Sequence, residues 1–213
     1  RRPQDYVDHR FIDSGTRRSG EAGSLFESEK ACADQDIIMA GYTGGYGAAK
    51  LTFANEAELE NHFNSVFLSP ILEADYTGDA ISTVKAVETA AAAGVRTMYA
   101  CGEGGVYSAV WELTENAGLG ARIQLKKVPL KQETVEICDY FNISPYQLLS
   151  VGAVLLTATH GQKVLAELAA AGIPAVIIGH LTDDNDRVVL NEEEVRFLEP
   201  FRYESLNQAK SES

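Results

Sequence analysis

The sequence has 213 residues, of which 45% are hydrophobic, enough for one folded domain with a substantial buried core. Its 18 Lys and Arg residues against 31 Asp and Glu residues give a formal charge of −13, and this net field argues against a nucleic-acid partner. No apolar run is long enough to predict a membrane span, and no basic and apolar leader predicts a secretory signal.

Composition divides the chain into three parts. Residues 1–34 mix Arg with acids, Gly and Ser, which predicts an N-terminal arm or the remnant of a preceding domain. Residues 35–204 alternate strand-like and helix-like apolar patterns and form the predicted folded domain. Residues 205–213 are polar, and we expect a flexible tail there.

The predicted strands and helices alternate from Asp36 onward. Strands are expected at 36–40, 95–101, 121–125, 152–159, 174–180, 187–190 and 195–198. Helices are expected at 47–67, 77–93, 106–117, 131–141 and 162–171, with a short one starting at Ser144 and Pro145. The first helix is expected to break near Asn55 and to stop at Ser69 and Pro70. This interleaving predicts an α/β or α+β fold, in which helices pack on a mixed β-sheet.

Two strand–glycine–helix units carry the chemistry that the sequence suggests. The first turn runs Gly-Tyr-Thr-Gly-Gly-Tyr-Gly over 41–47, and the second runs Cys-Gly-Glu-Gly-Gly over 101–105. Glycine lets backbone amides approach a ligand closely, and the following helix aims its positive end at the same place. We therefore expect unpaired amides from both turns to bind a phosphate or substrate in one shared crevice. The alternative is a pair of tight turns without a ligand, since neither matches a Rossmann or Walker pattern.

The predicted substrate- or phosphate-binding residues are all glycines of these turns, with one threonine: Gly41, Thr43, Gly44, Gly45, Gly47, Gly102, Gly104 and Gly105. Glu103 is a weak catalytic candidate, because its carboxylate repels phosphate but accepts a substrate amine or hydroxyl. Cys101 is a second weak candidate, as a thiol near a helix N-terminus, against a small packed residue. Lys50 and Arg96 are the cations best placed to support an anion.

No metal site is predicted. His62, His160 and His180 share no ligand spacing. Asp75 and Asp79 flank a helix start, where capping is a better interpretation than metal binding. The acidic run 183–186 lacks the rest of a calcium loop and predicts a hairpin turn. Three widely spaced cysteines without a C-x-x-C pair argue against a zinc ribbon and fit a cytoplasmic protein.

Several longer blocks of sequence resemble a known family. They are 104–123, 137–150 followed by 152–156, 171–179, 187–190 and 194–198, together with the strand and turn at 36–47. Their order and spacing resemble the C-terminal domain of the aminoimidazole ribonucleotide (AIR) synthase, or PurM-like, superfamily, over roughly residues 36–200. Among its members, the hydrogenase expression/formation protein looks nearest in style.

The resemblance implies a fold and an activity. Enzymes of this superfamily pair an N-terminal ATP-binding domain with a C-terminal α/β domain that closes the cleft, and they dimerise. The chain then resembles the substrate side of an ATP-dependent enzyme that activates a small molecule by phosphoryl transfer. ATP and Mg²⁺ are expected mainly on the N-terminal domain, and a small phosphorylated or nucleotide ligand is expected here. The chain alone is expected to show no turnover.

Two departures from the family pattern favour a different interpretation. The second turn, 100–105, lacks the Asp and Arg that the family often has there. No cysteine follows Cys138, whereas the hydrogenase maturation protein typically ends in a cysteine that carries its thiocarboxamide. The alternative is a non-catalytic binding or scaffold module, or a hydrogenase-maturation partner, that retained the fold.

Overall fold

The computed structural model describes residues 24–27, 29–73 and 76–200, with only the backbone described for 24–27 and 76–82. The predicted tail 205–213 and most of the predicted arm 1–34 lie outside these residues, so both assignments remain predictions. No helix in the described ranges is long and apolar enough to cross a membrane.

Eight strands of the described chain form a single mixed sheet. They are β1 (Ser24–Glu27), β2 (Asp36–Ala40), β3 (Thr97–Ala100), β4 (Gly120–Gln124), β5 (Val154–Ala158), β6 (Ala175–Thr182), β7 (Arg187–Asn191) and β8 (Glu194–Phe197). Their order in the sheet is β1-β3-β5-β2-β6-β4-β7-β8. Among the described strands, β4 and β7 are parallel and every other neighbouring pair is antiparallel. The predicted mixed sheet with packed helices is confirmed.

The described residues form seven α-helices. They are α1 (Gly45–Ala54), α2 (Glu56–Leu59), α3 (Ser65–Leu72), α4 (Tyr76–Ala92), α5 (Gly105–Ala117), α6 (Gln132–Tyr140) and α7 (Gly161–Ala170). A short 3-10 turn covers Leu125–Lys127.

The two faces of the sheet are covered by different helices. Alternate residues of β2 show this, because successive strand side chains point to opposite faces. Ile37 and Met39 belong to a cluster that α5 covers, whereas Ile38 and Ala40 belong to one that α4 and α7 cover. All four are at most 1% exposed, so β2 runs through the middle of the core.

A third cluster lies away from the sheet. It joins α1, α2, α3 and α6 through buried residues that include Ala48, Leu59, Leu68 and Ile137. The predicted break at Asn55 is confirmed, since α1 ends there and α2 begins immediately after it.

Four local predictions are corrected by the structure. Helix α3 continues through Pro70 to Leu72 instead of stopping. No helix starts at Ser144 and Pro145; a turn closed by a hydrogen bond from the Gln147 amide to the Ser144 carbonyl forms there. The sequence predicted no strand at 24–27, yet β1 pairs with β3.

The fourth correction concerns the acidic turn. Strands β6 and β7 do not form a hairpin, because β4 lies between them and pairs with both. The turn therefore crosses over the start of β4, where a side chain at Gly120 would meet the Asp184 carboxylate at 2.2 Å. Within the turn, Asp184 accepts hydrogen bonds from the Thr182 hydroxyl and the Asp186 amide. These bonds, led by the Thr182 hydroxyl, hold the pKa of Asp184 below its usual value.

Candidate functional site

The first glycine turn connects β2 to the N-terminus of α1. Gly44 is the N-cap of α1 in the left-handed conformation (φ 73°), which glycine adopts without strain. It has no side chain to cap the helix. The cap is supplied instead by Ser150, whose Oγ accepts a hydrogen bond of 2.8 Å from the Gly44 amide.

The hydroxyl of Ser150 satisfies three groups at once. It donates to the Leu148 carbonyl at 2.7 Å and lies 2.9 Å from the Thr43 hydroxyl. A serine hydroxyl has one proton and two lone pairs, so with its proton on Leu148 it accepts from both Thr43 and Gly44. Ser150 and Thr43 are both fully buried, and their hydroxyls have no contact with water.

The second glycine turn connects β3 to α5 and meets the same segment of chain. Its Gly102 carbonyl accepts hydrogen bonds from the amides of Gly105 and Ser150, at 3.2 and 3.1 Å. The Tyr107 amide in the first turn of α5 donates to the Tyr146 carbonyl at 3.3 Å. Residues 144–153 therefore form a connecting segment between the two turns, and Ser150 contacts both.

This connecting segment explains most of the glycines. A Cβ at Gly41, Gly44, Gly47 or Gly105 would lie 2.4–2.9 Å from atoms of residues 145–152. Such contacts are too short for any side chain, so these glycines are required by packing within the chain. Gly45 differs, because a Cβ there would meet nothing within 4 Å.

Most of the amides predicted to face a ligand have partners inside the protein. The occupied amides are those of Gly41, Thr43, Gly44, Gly47 and Gly105, which donate to Pro174, Pro129, Ser150, Leu149 and Gly102 respectively. The expectation of unpaired amides is wrong at these positions, because neighbouring segments pack directly against the turns. Within the described ranges, the amides of Gly45, Gly102, Glu103 and Gly104 have no hydrogen-bond partner.

A cleft of about 170 Å³ opens beside the first turn. Its lining residues come from the end of β2, the turn and the start of α1, from α4, from the N-cap of α6, and from the chain before β5 and β6: Ala40, Gly41, Tyr42, Gly45, Tyr46, Ala86, Lys131, Val151, Gly152, Ile173 and Pro174. Residues 102–105 do not line it. The two turns thus share the connecting segment, but this cleft belongs to the first turn alone.

Lys131 is the cation of the cleft. It is the N-cap of α6, and its Nζ lies 5.3 Å from the centroid of the Tyr42 ring, a cation–π distance. Of the two cations that the sequence singled out, Lys50 is exposed on α1 and Arg96 is exposed after α4, and neither lines the cleft. The sequence offered no signal for Lys131, since its place beside Tyr42 depends on how α6 packs on α1.

The two weak catalytic candidates have different surroundings. Cys101 is 6% exposed, and burial raises the pKa of its thiol to about 12, so it stays protonated and is a packed residue. Glu103 is half-buried, and its carboxylate makes no hydrogen bond or ion pair with the described residues.

The described residues contain no group of three or more His, Cys, Asp or Glu side chains that could hold a metal ion. His62, His160 and His180 are exposed on separate elements. Asp75 lies outside the described residues, and only the backbone of Asp79 is described. Capping by these two aspartates therefore stays a prediction.

Comparison with known proteins relates the chain to a family. The family model described as AIR synthase related protein, C-terminal domain, matches residues 43–191. Carbamoyl dehydratase HypE of Rhizobium leguminosarum bv. viciae is 24% identical over 186 residues, covering 84% of this chain and 49% of that protein. The chain therefore spans about half the length of this relative.

Solved structures show the same fold. HypE of E. coli, a hydrogenase maturation protein, aligns with a TM-score of 0.61 and 17% identity, over 84% of this chain and 53% of that one. A structure of the hydrogenase maturation protein HypE in complex with ATP aligns with a TM-score of 0.57 and 14% identity, over 81% and 52%.

Proposed function

The chain belongs to the AIR synthase related family, whose C-terminal domain it matches, and we propose that it forms the substrate side of an ATP-dependent enzyme. The enzyme would activate an oxygen of a small molecule by phosphoryl transfer. The first glycine turn would hold the phosphate or carboxylate of that molecule. A HypE structure contains ATP, which supports nucleotide chemistry in the complete enzyme.

The observation that carries this proposal is the combination of charges at the cleft. The Gly45 amide is unpaired among the described residues, and open space lies where its side chain would be. It lies at the positive end of α1, and the Lys131 ammonium lines the same cleft. An amide, a helix N-terminus and an ammonium together favour an anion. Tyr42, 40% exposed, adds an aromatic face for the uncharged part of the ligand.

The second turn supports a separate role for its half-buried carboxylate. The amides of Gly102 and Gly104 are unpaired among the described residues, but Glu103 between them repels phosphate. We assign Glu103 the role of accepting a hydrogen bond from an amine or hydroxyl of the substrate. Because residues 102–105 do not line the cleft of the first turn, this role would apply to a neutral part of the substrate that reaches beyond that cleft.

The described residues fit a phosphate group, and they contain no group of three or more His, Cys, Asp or Glu side chains that could hold a metal ion. ATP, when bound, supplies the phosphoryl group that converts a substrate oxygen into a leaving group. We assign ATP and Mg²⁺ mainly to the N-terminal domain that the family resemblance implies. We expect the complete enzyme to form a homodimer. The residues described here would position the substrate and stabilise its charge. All three cysteines are free, which fits a cytoplasmic enzyme.

Thermal-shift and calorimetric titrations of the full chain with phosphate, ATP and ADP test the proposal. Millimolar ligand should raise the melting temperature. Lys131→Ala should weaken binding about tenfold, since loss of one ammonium near an anion is worth about 1.4 kcal/mol. Lys50→Ala removes the same charge from an exposed residue of α1 that does not line the cleft, and it should leave binding unchanged.

The isolated chain should bind without hydrolysing ATP, because it spans about half of its relative. Measurable ATP hydrolysis by the chain alone would contradict the division of roles. No stabilisation by any of the three ligands would favour the alternative, a scaffold or a hydrogenase-maturation partner that kept only the fold.

A further inference from the structure

Aromatic side chains reach the surface at the third core cluster. Phe63 stacks on Phe67 with ring centroids 4.6 Å apart, and it meets Tyr140 edge-on at 5.9 Å. His62 contacts Tyr140 at 4.8 Å, and Tyr140 contacts Phe141 at 5.0 Å. These five rings form one continuous aromatic cluster on α3, α6 and the loop before α3.

Aliphatic side chains extend this cluster into solvent. Val66, the residue before Phe67, is 81% exposed, which is the highest value among the exposed large hydrophobic residues of the described chain. Pro70, one helical turn beyond Val66 on α3, is also exposed. Scattered exposed apolar residues are ordinary, but an apolar strip beside a continuous aromatic cluster is the form of an interaction surface.

The charge of this surface has one sign. Residues 55–73 and 132–141, which we call the aromatic–acidic surface, contain no Lys or Arg. They contain seven carboxylates: Glu56, Glu58, Glu60, Glu73, Glu133, Glu136 and Asp139. None of these carboxylates forms a salt bridge within the described residues. Glu58 accepts a hydrogen bond from the Tyr140 hydroxyl and Glu136 accepts one from Gln132, both from neutral donors.

The exposed apolar side chains and the negative charge together indicate the kind of partner. A second copy of the chain would bring seven further carboxylates against the first seven, so like-charge repulsion disfavours self-association through this face. A nucleic acid is repelled for the same reason. A basic segment is attracted, and Arg is favoured over Lys because its planar guanidinium both pairs with carboxylates and stacks on aromatic rings.

We propose that the aromatic–acidic surface docks a basic segment of another protein, in which apolar anchors are flanked by Arg. The anchors would pack on Val66 and Phe67, and the guanidinium groups would stack on Tyr140 and pair with the surrounding carboxylates. This surface lies outside the cleft of the first turn, so the proposal does not depend on the function proposed above.

Binding of a defined probe to the full chain tests this. The probe is a synthetic amphipathic peptide with Arg on one face and Leu and Trp on the other, and the control is the same peptide with Glu in place of Arg. Fluorescence anisotropy should show binding of the Arg peptide only, and added salt should weaken it. In amide NMR spectra, the shifted resonances should fall within 55–73 and 132–141.

A charge-matched pair of variants distinguishes binding at the aromatic–acidic surface from non-specific attraction to the negatively charged protein. Val66→Glu and Val195→Glu each add one negative charge at an exposed valine, the second on β8 at the edge of the sheet. Val66→Glu should weaken binding of the Arg peptide about tenfold, since it disrupts the apolar anchor site, whereas Val195→Glu should leave it unchanged or slightly stronger. Equal effects of the two variants, shifts spread over the whole protein, or a self-association that Val66→Glu abolishes would each overturn the proposal.

Discussion

Replacing Ser150 with alanine removes the hydroxyl that binds the first glycine turn and keeps the backbone amide that donates to the Gly102 carbonyl of the second turn. The variant leaves the Gly44 amide and the Thr43 hydroxyl as buried donors without their acceptor, and it frees the Leu148 carbonyl. A buried donor without a partner costs roughly 1–3 kcal/mol. Because Thr43 can rotate toward another acceptor, we expect Ser150→Ala to lower the free energy of unfolding by about 2–4 kcal/mol.

Urea unfolding measures this loss directly. The midpoint should fall while the m-value stays constant, and the melting temperature should drop by roughly 5–15 °C. Ser108→Ala is the matched control, since Ser108 is buried on α5 but its hydroxyl makes no hydrogen bond with the described residues. It should cost less than about 1 kcal/mol.

A double-mutant cycle tests the mechanism as well as the magnitude. Thr43→Val removes one of the donors, so Ser150→Ala should cost about 1 kcal/mol less in the Thr43→Val background than in the natural chain. A Ser150→Ala variant within about 0.5 kcal/mol of the natural chain would refute the capping role, because surface-like changes fall in that range.

Three further predictions concern the glycines, the reactivity of the thiols and the pH dependence of stability. Gly45→Ala should keep or slightly raise the free energy of unfolding, because the added Cβ enters open space. Gly105→Ala should be strongly destabilising, because its Cβ would lie 2.4 Å from the Tyr146 carbonyl at a φ of +61°. Chemical unfolding of both variants checks this, and a Gly105→Ala variant of unchanged stability would contradict the packing. At pH 8, iodoacetamide should modify exposed Cys32 and spare Cys101, as mass spectrometry would show. Burial raises the pKa of Cys101 from 9.0 to about 12, so the unfolded chain loses this proton at a lower pH than the folded chain. The free energy of unfolding should therefore fall as pH rises from about 9 to 12. If Cys101→Ala leaves this fall unchanged, Cys101 is not its source.

Local rules of sequence determined most of the elements. The apolar run at 36–40 became β2 with the predicted bounds, and Gly118 became the left-handed cap of α5 with φ of 71°. Both depend only on residues close in the chain: an apolar run between polar residues makes a buried strand, and glycine ends a helix. Pro70 shows where such a rule fails. It lies inside α3, where the residue that would lose its hydrogen bond, Val66, is largely exposed to water.

The sequence also placed the glycine turns and the family, but it did not determine what the turns contact. The first turn is capped by Ser150, which is 106 residues away from Gly44 in the chain. The cation of the cleft, Lys131, lies beside Tyr42 only because α6 packs on α1. Strand β4 separates β6 from β7, although the short acidic turn suggested that they pair.

Features set by neighbouring residues could be predicted from the sequence, whereas features set by contacts between distant segments could not. Backbone conformation at a glycine, a cap or an apolar run is set by steric and hydrogen-bonding preferences of adjacent residues, and the sequence determined these. Which amides stay unpaired, and which strand lies between two others, depends on contacts between distant segments that form only when the core packs. Tertiary structure alone decided that the glycines at 41, 44, 47 and 105 accommodate the protein's own connecting segment, and that open space remains at Gly45.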